Sequence, residues 1–248
     1  MNQTIGTAVS TYCAKDVAAL FGVALMLVTS ACATDSGETP DAGPSDVWDI
    51  DADGIPRFVD ANYVQLDAIR RVSRYRSSIG HDYSDQFEPC RSMKHYFEPK
   101  SDVDWSTIPL YAPVSGTITR VDPEWAGTKI EIASDDYPAF RFSVFHVNSP
   151  VPHQLNEHVV AGEQLGTHIG AQTTSDISVI VNDPTRQGRR VSYFDVMTDG
   201  LFADYMARGV AAREDLIISR ETRDANPLTC NGDTFVSADP IEAWVVLN

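Results

Sequence analysis

The sequence predicts a mainly β domain with short helices at its N-terminal and C-terminal flanks. Apolar and polar residues alternate in short runs, and Gly, Pro and Asp turns separate these runs. Alternation of this kind at close spacing is typical of an antiparallel β-sandwich or a partly open barrel. The runs span residues 110–121, 129–133, 140–147 and 162–169.

The composition fits one sizeable globular domain with an N-terminal appendage. The chain has 248 residues, of which 43% are hydrophobic and 22% are charged, and these values are ordinary for a soluble globular protein. Lysine and arginine number 19 against 35 aspartate and glutamate residues, which gives a net charge of −16. Because such an acidic surface repels phosphate groups, we expect no nucleic-acid partner.

The N-terminus has the pattern of an export signal. An apolar run over residues 17–28 is too short to span a bilayer comfortably, and small residues precede Cys32. This ending resembles the lipobox of bacterial lipoproteins, which implies a signal peptide over residues 1–31 and acylation of Cys32. Acyl chains would then hold the protein on a membrane of the bacterial cell envelope, at the outer membrane or the cell surface. A plain signal peptide or an N-terminal anchor helix is the alternative.

The remaining chain divides into a tether, an acidic loop and one domain. Residues after Cys32 are small or polar, which predicts a disordered tether over residues 32–48. An acidic loop follows at residues 49–60. The main β domain, with a C-terminal helical extension, occupies residues 61–248.

The acidic loop fits a calcium-binding template. Oxygen ligands recur at alternate positions, a glycine allows the sharp turn, a backbone carbonyl follows, and an aspartate closes the loop. The predicted Ca²⁺ ligands are Asp49, Asp51, Asp53, the carbonyl of Ile55, and Asp60. The shorter terminal carboxylate indicates a weak, extracellular type of site. An acidic linker without calcium is the alternative.

Two cysteines remain in the mature chain, Cys90 and Cys230. An isolated pair in an exported domain is most simply a disulfide. Such a bond would tie the start of the domain to its C-terminal tail. Buried free thiols are the alternative.

The flanks of the domain contain segments with helical spacing of apolar residues. We predict a short amphipathic helix between residues 64 and 75, with arginines that pair internally. A second helix is predicted within residues 191–209, where Gly209 would stop it. Residues 242–248 predict a final strand.

Several segments resemble, in chain order, the lysostaphin-type (LytM-like) peptidoglycan endopeptidases. The matching segments are residues 80–85 (Gly-His-Asp-Tyr-Ser-Asp), 111–118, 127–132, 145–147 and 160–166. The resemblance covers residues 79–182 and implies the duplicated-hybrid-motif fold, a zinc ion and a cell-wall substrate. Carried over residue by residue, it makes His81 and Asp85 zinc ligands. It makes His146 the histidine that polarises water or stabilises the tetrahedral intermediate.

The second zinc motif of that family, HxH, is degenerate in this chain. Asp176 stands in the position of the general base, and Ser178 stands in the position of the third ligand. A hydrolytic zinc site needs about three protein ligands and an open position for water, so two ligands predict weak binding. Direct binding of the metal by Asp176, with His168 on the preceding strand, is the alternative.

These residues also have structural interpretations. His81 and Asp85 can form a hydrogen-bonded pair that fixes a loop, and His146 can fill the sheet edge.

Three functions therefore remain open. The favoured one is a non-catalytic envelope lipoprotein that binds cell-wall glycan or peptide, or regulates a wall enzyme. The second is an active metal-dependent peptidoglycan endopeptidase that uses His81, Asp85 and Asp176, with His146 as an acid or electrostatic aid. The third is a structural surface module that holds envelope partners through its calcium loop.

Overall fold

The structure of the chain, a computed structural model, describes residues 44–248. The predicted signal peptide, Cys32 and most of the predicted tether lie outside the described residues. Within the described range, no helix has the length and apolar character needed to cross a membrane.

Antiparallel strands dominate the described residues, and the helices are short, as the sequence predicts. The strands are β1 (Ile69–Ser73), β2 (His95–Pro99), β3 (Pro109–Tyr111), β4 (Gly116–Pro123), β5 (Thr128–Ser134), β6 (Phe140–Asn148), β7 (His158–Val159), β8 (Gln164–His168), β9 (Ser175–Val181), β10 (Arg189–Val191), β11 (Cys230–Asn231), β12 (Thr234–Phe235) and β13 (Trp244–Val246). The α-helices are α1 (Ile50–Asp53), α2 (Asp199–Met206) and α3 (Arg220–Ala225). Three 3-10 turns lie at Leu66–Ala68, Trp105–Thr107 and Arg213–Leu216.

Eleven of the strands form one sheet. Its main order is β13-β1-β2-β9-β6-β5-β4-β7, while β10 pairs with β9, and β8 joins β6 to β3. All of these pairings are antiparallel. Strand β9 lies between β2 and β6, so its side chains meet residues from both neighbours.

Alternate residues of β6 and β9 supply the centre of the hydrophobic core. Phe142 and Val144 of β6 are fully buried there with Ile177 and Val179 of β9. Because successive side chains of a strand point to opposite faces, the intervening Asp176 points away from this core. The second face of the sheet therefore receives Asp176 and Ser178 of β9.

The N-terminal flank differs from the predicted helix. Residues Ile69–Ser73 form β1, which pairs with both β2 and β13. The apolar spacing of this short segment is compatible with a helix or a strand. Because the segment pairs with two strands, it adopts the strand conformation. Arg70 and Arg71 both pair with Glu98, so the prediction that these arginines pair internally is confirmed.

The C-terminal flank contains the predicted helix in a shorter form. The side chain of Thr198 caps the start of α2 by accepting the amide of Leu201. The helix buries Phe202 and Tyr205, and Gly209, with a φ of 93°, follows its end. Strand β13 confirms the strand predicted within residues 242–248.

The C-terminal extension is fastened to the loop that precedes β2. Cys90 and Cys230 form a disulfide with their Cα atoms 5.7 Å apart, which confirms the predicted pairing. The fully buried guanidinium of Arg223 pairs with Asp239 at 2.9 Å. The carboxylate of Asp239 also accepts the amide of Ser78 in that loop. The disulfide and the hydrogen bond from Ser78 to Asp239 thus join the extension to the loop.

The end of the predicted tether is already packed on the domain. The ring of Trp48 contacts the ring of Tyr137, with centroids 5.3 Å apart, and its amide donates to the carbonyl of Asn182. The large aromatic side chain of Trp48, at the C-terminal limit of the predicted tether, is thus partly buried against the core.

Candidate functional site

A cavity of about 550 Å³ opens on the second face of the sheet, beside β2, β6 and β9. It gathers three of the residues that the sequence singled out, together with others that the sequence did not indicate. The residues that matter most for its chemistry are His81, Lys94, Tyr96, Phe145, His146 and Asp176.

The register of the sheet explains how these side chains meet. Tyr96 of β2 and Asp176 of β9 are direct partners in the ladder, so their side chains share one face. Lys94 lies two positions before Tyr96 and therefore points to the same face. Phe145 and His146, near the end of β6, complete the wall on the other side of β9.

The floor of the cavity is a buried carboxylate between two basic groups. Lys94 Nζ lies 2.7 Å from Oδ2 of Asp176, and Asp176 is completely buried. His146 Nε2 lies 3.1 Å from the other carboxylate oxygen, Oδ1. Asp176 is thus shared between a lysine and a histidine.

The backbone at His146 is strained in a way that turns its ring into the cavity. His146 has a φ of 62°, a left-handed conformation that is uncommon for residues other than glycine. The neighbouring chain approaches closely at Gly127, where an added Cβ would lie 2.9 Å from the carbonyl oxygen of Val147. Nδ1 of His146 donates to the carbonyl of Ala126 at 2.8 Å, which fixes the ring.

For both Asp176 and His146, burial and the neighbouring charges shift the pKa in opposite directions. Burial raises the pKa of Asp176, but the charges of Lys94 and His146 outweigh burial, so the pKa lies below its usual value. Burial lowers the pKa of His146, yet contact with Asp176 outweighs it and leaves the pKa above its usual value. Both ring nitrogens of His146 face acceptor oxygens, which favours the doubly protonated ring.

His81 reaches the cavity from the loop before β2. Its Nδ1 donates to the carbonyl of Asp82 at 2.9 Å, which leaves Nε2 as the ring nitrogen able to accept a metal. The chain passes close to β2 at Gly80, where an added Cβ would lie 2.1 Å from the hydroxyl of Tyr96. Only glycine fits at this position, so the loop is pressed against the cavity wall.

Asp85, the predicted partner of His81, is not among the residues that line the cavity. Its Oδ1 accepts the amides of Phe87 and Glu88 at 2.9 Å each, and its Oδ2 accepts the amide of Arg190 at 3.3 Å. Backbone amides of the loop and of β10 thus engage both carboxylate oxygens of Asp85, and its role as a zinc ligand stays a prediction. The partners of Asp85 are backbone amides, and the side chain of His81 bonds to the carbonyl of Asp82.

The donor groups around the cavity do not fit a zinc ion. Among residues 44–248, no three His, Cys, Asp or Glu side chains come together as a group that can hold a metal. The proposed set of His81, Asp85 and Asp176 is therefore not assembled, and Asp176 already contacts Lys94 and His146. The catalytic roles predicted for His146 and Asp176 stay predictions.

Ser178 and His168 do not complete a ligand set. The hydroxyl of Ser178 is buried and makes no hydrogen bond to the described residues. His168 packs against Trp105, with ring centroids 4.8 Å apart. Burial, followed by the charge of His146, lowers the pKa of His168 to about 4. The Nε2 atom of His168 is buried and has no hydrogen-bond partner among the described residues.

The predicted calcium loop is a capped helical turn. Oδ1 of Asp49 accepts the amides of Asp51 and Ala52 at the start of α1. The carboxylate of Asp51 pairs with Arg189 at 2.8 Å and with Arg186 at 3.4 Å. Two guanidinium groups thus contact the carboxylate of Asp51, and calcium binding by this loop stays a prediction. The described residues do not bring the five predicted ligands together as a metal site. Those ligands were Asp49, Asp51, Asp53, Ile55 and Asp60.

Sequence reasoning missed Lys94 and Trp125. Lys94 follows Met93 and precedes His95 in a segment that is otherwise apolar or aromatic. A charged residue at an inward position of such a strand is the signal that indicates a buried partner. Trp125 lies in the turn between β4 and β5, lines the cavity, and is 78% exposed. A tryptophan in a polar turn carries no signal of its own.

No protein-family model matches the chain, and no curated protein matches it. Among solved structures, the chain is similar to lysostaphin, with 18% identity, a TM-score of 0.30, and coverage of 46% of this chain and 51% of that chain. It is similar to the M23 metalloprotease pseudoalterin from the deep sea, with 17% identity, a TM-score of 0.34, and coverage of 56% of this chain and 73% of that chain.

A further similar structure is a chain of the SpoIIQ–SpoIIIAH pore-forming complex, with 12% identity, a TM-score of 0.40, and coverage of 61% of this chain and 97% of that chain. Lysostaphin and an M23 metalloprotease are the kind of protein that the sequence motifs resemble. At these identities the likeness concerns the fold alone, and the chain spans about half the length of lysostaphin.

Proposed function

We propose that this chain is a non-catalytic lipoprotein of the bacterial cell envelope. Its cavity beside β9 binds cell-wall glycan or peptide, or regulates an enzyme that acts on the wall. The observation that carries the proposal is the contact of 2.7 Å between Lys94 Nζ and the buried carboxylate of Asp176. The lysine ammonium thus engages the carboxylate that stands in the position of the general base.

The chemistry of the floor supports binding over hydrolysis. Metal-assisted hydrolysis needs an ion with an open coordination position for water. In this cavity the two oxygens of Asp176 face Lys94 and His146. A carboxylate whose pKa is lowered in this way is also a weaker base.

The shape of the surface supports an elongated ligand. A second cavity of about 530 Å³ shares Thr173 and Thr174 with the first, so the concave surface continues past these two threonines. Trp125 stands at the rim of the first cavity with 78% of its surface exposed. Exposed tryptophans beside a concave polar surface are frequent anchors in recognition. A polymer strand fits such a groove better than a small molecule does.

The envelope location rests on the predicted signal peptide and on Cys32. The disulfide between Cys90 and Cys230 supports export, because such bonds persist in oxidising compartments.

The exposed ring of Trp125 gives the test of this proposal. We expect Trp125→Ala to reduce retention on insoluble peptidoglycan about tenfold. The free energy of unfolding should change by less than about 0.5 kcal/mol, because the ring is mostly exposed. The measurement is a sedimentation assay with purified peptidoglycan, together with thermal unfolding of both proteins.

The matched control is Leu155→Ala, which removes another exposed apolar side chain, 61% exposed, that does not line the cavity. Its retention should equal that of the unsubstituted protein. Equal retention of all three proteins, or no retention of the unsubstituted protein by wall material, contradicts wall binding through this cavity.

A further inference from the structure

Two aromatic rings and one carboxylate enclose the side chain of Lys94. Only 3% of the residue is exposed. Its Nζ lies 3.4 Å from the ring centroid of Phe145 and 4.2 Å from that of Tyr83. The carboxylate of Asp176, at 2.7 Å, completes the enclosure.

The groups around this ammonium suit an organic cation and do not suit a metal ion. Aromatic faces attract ammonium groups through the negative charge of the ring face, whereas zinc binds nitrogen, sulfur and oxygen donors. The enclosure supplies two ring faces and one carboxylate. A buried lysine needs such a partner, because an unpaired buried charge is strongly disfavoured.

The carboxylate of Asp176 also links Lys94 to His146. Lys94 holds Oδ2 of Asp176, while His146 Nε2 faces Oδ1. The lysine therefore fixes the carboxylate that positions the histidine at the cavity wall. Removal of the ammonium leaves Asp176 with one basic neighbour and leaves an empty channel lined by Phe145 and Tyr83.

We propose that the Lys94 ammonium is the fixed cation of this cavity, in a site built for a primary alkylammonium group. The chain itself fills the site that Asp176, Phe145 and Tyr83 form. The inference concerns how the cavity is held together and does not depend on binding of a wall polymer.

The test replaces the lysine side chain with a free ligand of the same chemistry. Lys94→Ala removes the atoms of a propylammonium group, so propylammonium chloride is the probe. We expect the substitution to lower the Tm by about 6 to 12 °C. Propylammonium at about ten times its Kd should raise the Tm of the variant by about 3 to 6 °C.

Three controls isolate the ammonium group. Propanol has the same length without charge and should not raise the Tm of Lys94→Ala, and neither should zinc chloride. In Lys94→Met the uncharged side chain fills the channel, so propylammonium should have no effect. The exposed Lys100, changed to alanine, should leave the Tm unchanged with and without the probe.

A wild-type Tm in Lys94→Ala overturns the inference, and so does recovery by zinc without recovery by propylammonium. If the variant does not fold, mass spectrometry of the unsubstituted protein measures how fast each lysine is acetylated. Lys94 should be acetylated at least about tenfold more slowly than Lys100, because its nitrogen is buried and paired. Equal rates overturn the inference. Failure of Trp125-dependent wall retention would leave these results unchanged, so the two proposals fail separately.

Discussion

Asp176→Asn is expected to lower the free energy of unfolding by about 3 to 5 kcal/mol, because it leaves Lys94 buried without a counter-charge. Asp176 is completely buried, and Lys94 Nζ lies 2.7 Å from its carboxylate. Removal of one partner of a buried ion pair costs far more than removal of an exposed one. Chemical denaturation with urea measures the change directly.

The control for this substitution is Asp135→Asn, at a carboxylate that pairs with the half-exposed ring of His158 at 2.8 Å. Its effect should stay within about 0 to 1 kcal/mol. The double variant Lys94→Met/Asp176→Leu removes both charges and should recover part of the loss. Equal stability of Asp176→Asn and the unsubstituted protein would show that the carboxylate is not an essential partner of Lys94.

Loss of the disulfide is expected to lower the free energy of unfolding by about 4 to 5 kcal/mol in the chain-entropy model. The bond joins residues separated by 140 positions, so it closes a long loop in the unfolded chain. The double variant Cys90→Ser/Cys230→Ser and reduction of the unsubstituted protein should both show the loss in thermal or urea unfolding.

Reductant serves as the control for that variant. It should destabilise the unsubstituted protein and leave the double serine variant unchanged. Arg223 and Asp239 of the extension still bond to the backbone of Arg76 and Ser78 in the loop before β2, so we expect a folded but weaker protein. An unchanged Tm after complete reduction, verified by thiol counting, contradicts the expected stabilisation.

The strands of the domain follow from local sequence. Alternation places Phe142 and Val144 in the core and leaves the intervening residues on the second face. The pattern therefore predicts both the strand and the side of it that is buried. The disulfide follows from the cysteine count and from the predicted export signal. The strands depend on neighbouring residues, and the disulfide has a single possible pairing.

The centre of the cavity depends on contacts that no local pattern contains. Lys94 and Asp176 lie 82 positions apart, and only the ladder between β2 and β9 brings them together. The HxxxD spacing cannot distinguish a metal ligand from a carboxylate that accepts backbone amides, which is the role of Asp85. The segment at β1 has a spacing that fits a helix until β2 and β13 pair with it.

The metal content of the purified protein tests the central claim, that the floor of this cavity is held by Lys94 and does not hold a tightly bound zinc ion. The protein is produced in zinc-supplemented medium, dialysed against metal-free buffer, and measured by elemental mass spectrometry. We predict zinc far below one ion per chain, with the same residual amount in His81→Ala. Near-stoichiometric zinc that survives dialysis, together with peptidoglycan cleavage that His81→Ala abolishes, would contradict it.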